Sequence, residues 1–106
     1  AGLGDIGLHF PDSSEEFKGI DSKILLEKSF NLIRKEGFSI NNLDSVIIAQ
    51  QPRLKDFIPE MRKVIAQILD VESKLVSIKA TTTEHLGFEG QERGIAAQAI
   101  VSLIKK

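Results

Sequence analysis

The stretch Lys79-Ala80-Thr81-Thr82-Thr83-Glu84-His85-Leu86-Gly87-Phe88 sets three hydroxyls and a carboxylate where an apolar strand ends. Leu75 to Lys79 alternates apolar and polar side chains as a half-buried strand does, so the threonines that follow can turn hydroxyls and backbone N–H groups toward an anion. Glu84 can hold a hard divalent cation such as Mg²⁺, which prefers carboxylate and phosphate oxygens; together these groups suit a diphosphate. The same residues have a structural reading. Thr81 to Glu84 is a T-x-x-E capping box and threonine is a common strand residue, so the four residues alone favour structure over catalysis.

Two more groups could do chemistry. Asp5 and Asp12 stand on a Gly-rich opening loop, where carboxylates bind hydroxyls or metal, although solvated Asp in turns is commoner. His9 lies between them with no second His nearby, which favours a surface or packing role over that of ligand or base. Gln50-Gln51-Pro52-Arg53-Leu54-Lys55 leaves an apolar strand carrying two cations beside a proline. Cations at the end of a buried sheet suit phosphate contacts, while solvated Lys and Arg are the usual case.

The elements that must position these residues follow from periodicity. Ala1 to Asp12 reads as a helix end and then a loop, broken by Gly2, Gly4 and Gly7 and turned at Phe10-Pro11-Asp12. Ser13 to Gly19 is polar with Phe17 as its anchor. Asp21 or Ser22 caps a helix running to about Lys35, with Leu26, Phe30 and Ile33 as its apolar stripe and Gly37 as its end. Asn41-Asn42 signals a turn, after which Asp44 to Gln50 reads as a central strand. Pro59 sits in the first turn of a second helix, through about Asp70, that buries Met61, Ile65, Ile68 and Leu69. Gly87 and Gly90 bend the chain around Phe88. Ile95 to Ile104 fits helix or strand, since its alanines suit one and its alternation and β-branched residues the other. The order of elements predicts an α/β or α+β domain over 1–106, with helices packed on one face of a mixed sheet.

Composition narrows the classes. The chain has 106 residues, 42% hydrophobic and 27% charged, with 14 basic against 15 acidic side chains and a net charge of −1. These values fit a soluble globular domain. The basic residues are scattered and all six aromatics are Phe, so no nucleic-acid partner is indicated. Without Cys there is neither a disulfide framework nor a thiolate metal site. The longest apolar tract is too short to span a bilayer, and no signal peptide is visible. The opening Ala1-Gly2-Leu3-Gly4 has no Met, from which an upstream piece is expected.

Read together, Gly4-Asp5-Ile6-Gly7, Phe10-Pro11-Asp12, Phe17-Lys18-Gly19, Ile48-Ala49-Gln50, Ala80-Thr81-Thr82-Thr83-Glu84, Leu86-Gly87-Phe88 and Gly94-Ile95-Ala96-Ala97 closely resemble the 2-C-methyl-D-erythritol 2,4-cyclodiphosphate synthase family in order and spacing. Each motif alone is weak; in register along the whole chain they are specific. The resemblance implies a cytoplasmic, bacterial enzyme of non-mevalonate isoprenoid biosynthesis. It would be a homotrimer with active sites between subunits. The 2-phosphate of 4-diphosphocytidyl-2-C-methyl-D-erythritol 2-phosphate would attack the β-phosphate, closing a cyclic diphosphate and expelling CMP.

By the same resemblance Asp5 and Gly7 hold the methylerythritol hydroxyls, while Phe10, Asp12 and Ser13 shape the adjoining loop. Ala49, Pro52, Arg53, Leu54 and Lys55 fall on the cytidine-binding segment, with Arg53 where the family more often has Lys. Thr81, Thr82, Thr83 and Glu84 match the diphosphate-binding stretch, Thr82 as transition-state stabiliser and Glu84 as the Mg²⁺ (or Mn²⁺) ligand. Phe88 lines the substrate edge and a trimer channel that can hold isoprenoid diphosphates, and the tail becomes a strand. Two departures stand out. Gln91 and Arg93 occupy positions where many members have Arg and Glu. The family's zinc ligands, one Asp and two His, lie in an opening segment outside this sequence, and neither His9 nor His85 matches them. These 106 residues alone are therefore expected to bind without turning over. The alternative reading is a non-catalytic trimer-forming or nucleotide-binding fragment.

Overall fold

A computed structural model describes residues 1–106, which divide into two compact units: Ala1–Ser39 with Leu103–Lys106, and Ile40–Ser102. In chain order the elements are α1 (Ile6–His9), α2 (Ser22–Lys35), β1 (Phe38–Ile48), α3 (Ile58–Ile68), β2 (Val76–Thr81), α4 (Gly87–Gly90) and β3 (Ala96–Lys105). The mixed α/β class expected from the order of elements holds.

In the first unit, Asp21 caps α2 by accepting the Lys23 backbone N–H at 2.8 Å, which satisfies one of the donors that a helix start leaves free. Gly37 ends the helix with a φ of 87°, a conformation that glycine adopts without penalty. Phe30 is the buried member of the apolar stripe, and the Arg34 guanidinium lies 5.4 Å from its ring centre. The opening segment is more ordered than a helix end and a loop. Phe10 N–H donates to Ile6 O at 2.9 Å and closes α1 as a single turn around Gly7. Past it, Phe10 meets Phe17 edge-on at 5.4 Å, so Phe17 does anchor the polar stretch after it.

The sheet has the order β2-β1-β3, so β1 is the central strand. Parallel pairing joins β1 to β2 from Leu43↔Val76 to Ile48↔Thr81. β3 runs antiparallel to β1, with Lys106 N–H on Gly37 O and Asn41 Nδ2 on Ser102 Oγ. Here the expected turn at Asn41-Asn42 fails: β1 passes straight through both residues, which stay exposed while the Asn41 amide bonds across to the neighbouring strand. The ambiguous tail is a strand, as the family resemblance implies.

α3 covers one face of the parallel pair. Ala66 meets Val76 and Ile78, with Leu43, Ile47, Met61 and Ile65 around them. Alternation on β2 follows strand geometry: Val76 is 0% exposed and Ile78 8%, while Ser77 and Lys79 face away. Arg62 then fixes α3 to the start of β2, donating Nε–H to Val76 O at 2.8 Å and Nη2–H to Ser73 O at 2.9 Å. Replacing Ile78 by Ala should cost about 3 kcal/mol of unfolding free energy, from lost transfer plus a cavity, read as a lower urea midpoint. A midpoint equal to wild type would place the core elsewhere.

On the sheet's other face Lys79 and Asp44 form an ion pair between β2 and β1. The hydrogen bond from Lys79, then one from Ser77, holds the Asp44 carboxyl below its ordinary 3.8. A carboxylate lowered on folding stabilises above the unfolded value and loses that contribution as pH falls through the folded one. The wild-type advantage over Asp44→Asn should therefore shrink as pH drops below about 4, and salt should also reduce it because the pair is exposed. Denaturant titrations showing a constant gap across that window would contradict the assignment.

Candidate functional site

The parallel register brings the carboxyl ends of β1 and β2 to one level. Ile48 pairs with Thr81, and Ala49 N–H extends the ladder to Thr81 O at 3.0 Å. Two loops leave side by side from those ends, one beginning at Ala49 and the other at Thr82. Between them lies a cleft of about 270 Å³ lined by Ala49, Gln50, Gln51, Pro52, Arg53, Leu54, Lys55, Ala80, Thr81 and Thr82. The mouth of a parallel sheet at its carboxyl edge is where open α/β sheets receive ligands. Arg53 and Lys55 take part in none of the chain's ion pairs, so both charges are free to meet an anion.

The segment after β2 is not a capping box. Glu84 and His85 are consecutive left-handed residues, at φ 54° and 67°, and Leu86 occupies the N-cap position of α4. Non-glycine residues in this region cost about 1 kcal/mol or more each, so surrounding bonds must hold them. Thr82 Oγ1 accepts Glu84 N–H at 3.3 Å, Thr83 Oγ1 donates to Leu86 O, and Gln50 Oε1 accepts His85 N–H at 3.0 Å. Gly90 packs against the turn: a Cβ there would stand 2.2 Å from the His85 carbonyl carbon and 2.7 Å from Thr83 Oγ1. Gly90 serves close approach, and α4 replaces the sharply bent loop expected around Phe88.

The residues singled out from sequence fall into three groups. Ala49, Pro52, Arg53, Leu54, Lys55, Thr81 and Thr82 share the cleft, and Thr83 and Glu84 continue the turn beyond it. Asp5, Gly7, Phe10, Asp12 and Ser13 belong to the first unit, where Asp5 precedes α1 without a side-chain capping bond and Phe10 is half-buried against Phe17. Phe88 is 53% exposed on α4 and Gln91 follows it; neither lines the cleft. Gln50, Gln51 and Ala80 line it without having been assigned a role from sequence. Gln50 and Ala80 lie within matched motifs, which was the available signal.

Metal fits unevenly. No three His, Asp or Glu side chains converge as a ligand set, so the residues present do not fit a zinc ion. His9 is engaged with Leu3 O at 2.8 Å and the His85 backbone with Gln50. Glu84 is exposed and outside every ion pair, which fits the single carboxylate that a phosphate-bound divalent cation takes from protein.

The YgbB family model matches residues 1–104. A 2-C-methyl-D-erythritol 2,4-cyclodiphosphate synthase of Porphyromonas gingivalis is 51% identical over 98% of the chain, and one of Desulfitobacterium hafniense is 52% identical over 97%. The chain spans 64% and 65% of the length of those relatives. Among solved structures, the bifunctional IspDF of Campylobacter jejuni superposes with a TM-score of 0.93 at 42% identity, covering 99% of this chain and 28% of that one. A CDP complex of IspF from Plasmodium falciparum superposes at 0.84 with 32% identity, over 99% of this chain and 62% of that one. With a family match running from the first residue nearly to the last and relatives half identical to it, this chain belongs to the YgbB family.

Proposed function

We propose that the protein carrying this chain cyclises 4-diphosphocytidyl-2-C-methyl-D-erythritol 2-phosphate to the 2,4-cyclodiphosphate and releases CMP. The observation that carries the reading is the cleft, where the segment matched to cytidine binding and the segment matched to diphosphate binding meet at the ends of two paired strands. The relatives' shared name and the CDP held by the Plasmodium protein support it.

In this reading the 2-phosphate oxygen forms a bond to the β-phosphorus while the bond from that phosphorus to the bridging oxygen breaks, and the electron pair leaves on CMP. Phosphoryl transfer of this kind rests on positioning and charge neutralisation, and no nucleophile–base pair is required of the protein. Arg53 and Lys55 supply cationic charge at the cleft, Thr81 and Thr82 supply hydroxyls, and Ala49 with Pro52, Arg53 and Leu54 forms the wall for the cytidine. A divalent cation bound with the diphosphate would add charge neutralisation, and Glu84 is the residue that would hold it. Asp5 and Gly7 are assigned to the methylerythritol hydroxyls, Phe10, Asp12 and Ser13 to the adjoining loop, and Phe88 and Gln91 to the substrate edge and channel mouth. The reading extends to a bacterial setting, in line with the relatives' organisms, and to a cytoplasmic location.

It also extends to a homotrimer with sites between subunits. In support, Ile100 is 74% exposed and Val101 41% on β3, apolar surface that a second copy of the chain would cover. Light scattering should return the mass of three chains; a fully active monomer would contradict this part.

The reaction is tested by supplying the diphosphocytidyl substrate with Mg²⁺ and following CMP and cyclic diphosphate together. Thr82→Ala should lower kcat about a hundredfold, as loss of one transition-state donor does. Arg53→Ala should instead act mainly on KM, because it removes charge felt equally by bound substrate and transition state. Wild-type kcat in Thr82→Ala would take the threonine out of the chemistry, and absence of cyclic product from the unaltered protein would refute the reading.

A further inference from the structure

Gln50 follows the end of β1 by two residues and lines the cleft, yet its side chain reaches across to the other loop. Its Oε1 accepts the His85 backbone N–H at 3.0 Å, a contact 35 residues away along the chain. This is the one hydrogen bond that ties residues 82–85 to the β1 side; the bonds of Thr82 and Thr83 are local to the turn. The turn needs such a tie, because Glu84 and His85 both hold left-handed backbone that isolated chains avoid. Gly90 also presses against the His85 backbone, at a distance that admits no Cβ. His85 is therefore held by a hydrogen bond and a steric wall, with Thr82, Thr83 and Glu84 before it in the chain.

Resting on the reading of the cleft as a diphosphate site, we infer that Gln50 is a positioning residue that locks the Thr82–His85 turn against the end of β1 and so sets the turn's grip on a diphosphate. Gln50 acts through the His85 amide. Cytidine, whose wall is assigned to Ala49, Pro52, Arg53 and Leu54, depends on it little.

The test uses the protein carrying this chain, with two substitutions that remove the acceptor, Gln50→Met at similar length and Gln50→Ala, and one that keeps it, Gln50→Glu. Amide exchange at His85 and equilibrium affinities for CDP and cytidine are measured, so neither readout depends on turnover. Loss of the acceptor should speed His85 exchange about tenfold and reduce the preference for CDP over cytidine by a similar factor, leaving cytidine affinity within about twofold. Gln50→Glu should return His85 exchange to within about twofold of wild type. Unchanged exchange in both Gln50→Met and Gln50→Ala overturns the inference, as does an equal loss of CDP and cytidine affinity, which marks a general loosening. Failure of the wild type to form cyclic product refutes the proposed function alone and leaves Gln50 to be decided by His85 exchange. A wild type with no preference for CDP over cytidine overturns both.

Discussion

The parallel pairing of β1 with β2 is the constraint on which the rest depends. Parallel neighbours cannot be joined by a tight turn; the chain must cross over, and here the crossover carries α3 onto the sheet. Val76 and Ile78 then face Ala66 while Ser77 and Lys79 face away, so a one-residue slip would bury a lysine and expose two core residues. Fixed register at Leu43↔Val76 means fixed register at Ile48↔Thr81, and the two strands finish together. The core under α3 therefore determines where two loops begin.

Chemistry is laid onto those loops unevenly. The β1 loop brings cations, Arg53 and Lys55, and the β2 loop brings hydroxyls and a carboxylate through Thr81 to Glu84. Elsewhere the chain's charges are partly matched, as in Lys79 with Asp44 on the sheet's far face, whereas the two cations at the cleft have no carboxylate partner. Such uncompensated charge stabilises nothing locally and is free for an anion. The left-handed residues Glu84 and His85 are another local cost at the same place, offset by the contacts of Gln50 and Gly90.

Much of this arrangement was legible in the residues. Asp21 and Gly37 mark the ends of α2, Pro59 the start of α3, and alternation marks β2, because each signal is local and the physics behind it is local too. Long-range pairing was not. Asn41-Asn42 has turn composition, yet a neighbouring strand supplies ladder bonds and a side-chain partner, Ser102, that outweigh the local preference. The Ile95 to Ile104 tract fitted either period until the resemblance to a family suggested a strand. The T-x-x-E pattern caps no helix: Thr81 Oγ1 donates to Thr82 O and Glu84 N–H to Thr82 Oγ1, and the N-cap position of α4 falls to Leu86. That Gln50 reaches the turn depends on strand register, which no local pattern of residues expresses.

The central claim is that the paired strand ends receive a nucleoside diphosphate. Backbone amide shifts recorded during a CDP titration test it most directly. The account predicts saturable changes concentrated at residues 49–55 and 81–85, with the far-face pair Asp44 and Lys79 undisturbed. Saturable binding that leaves both loops unchanged and perturbs other surfaces would contradict it.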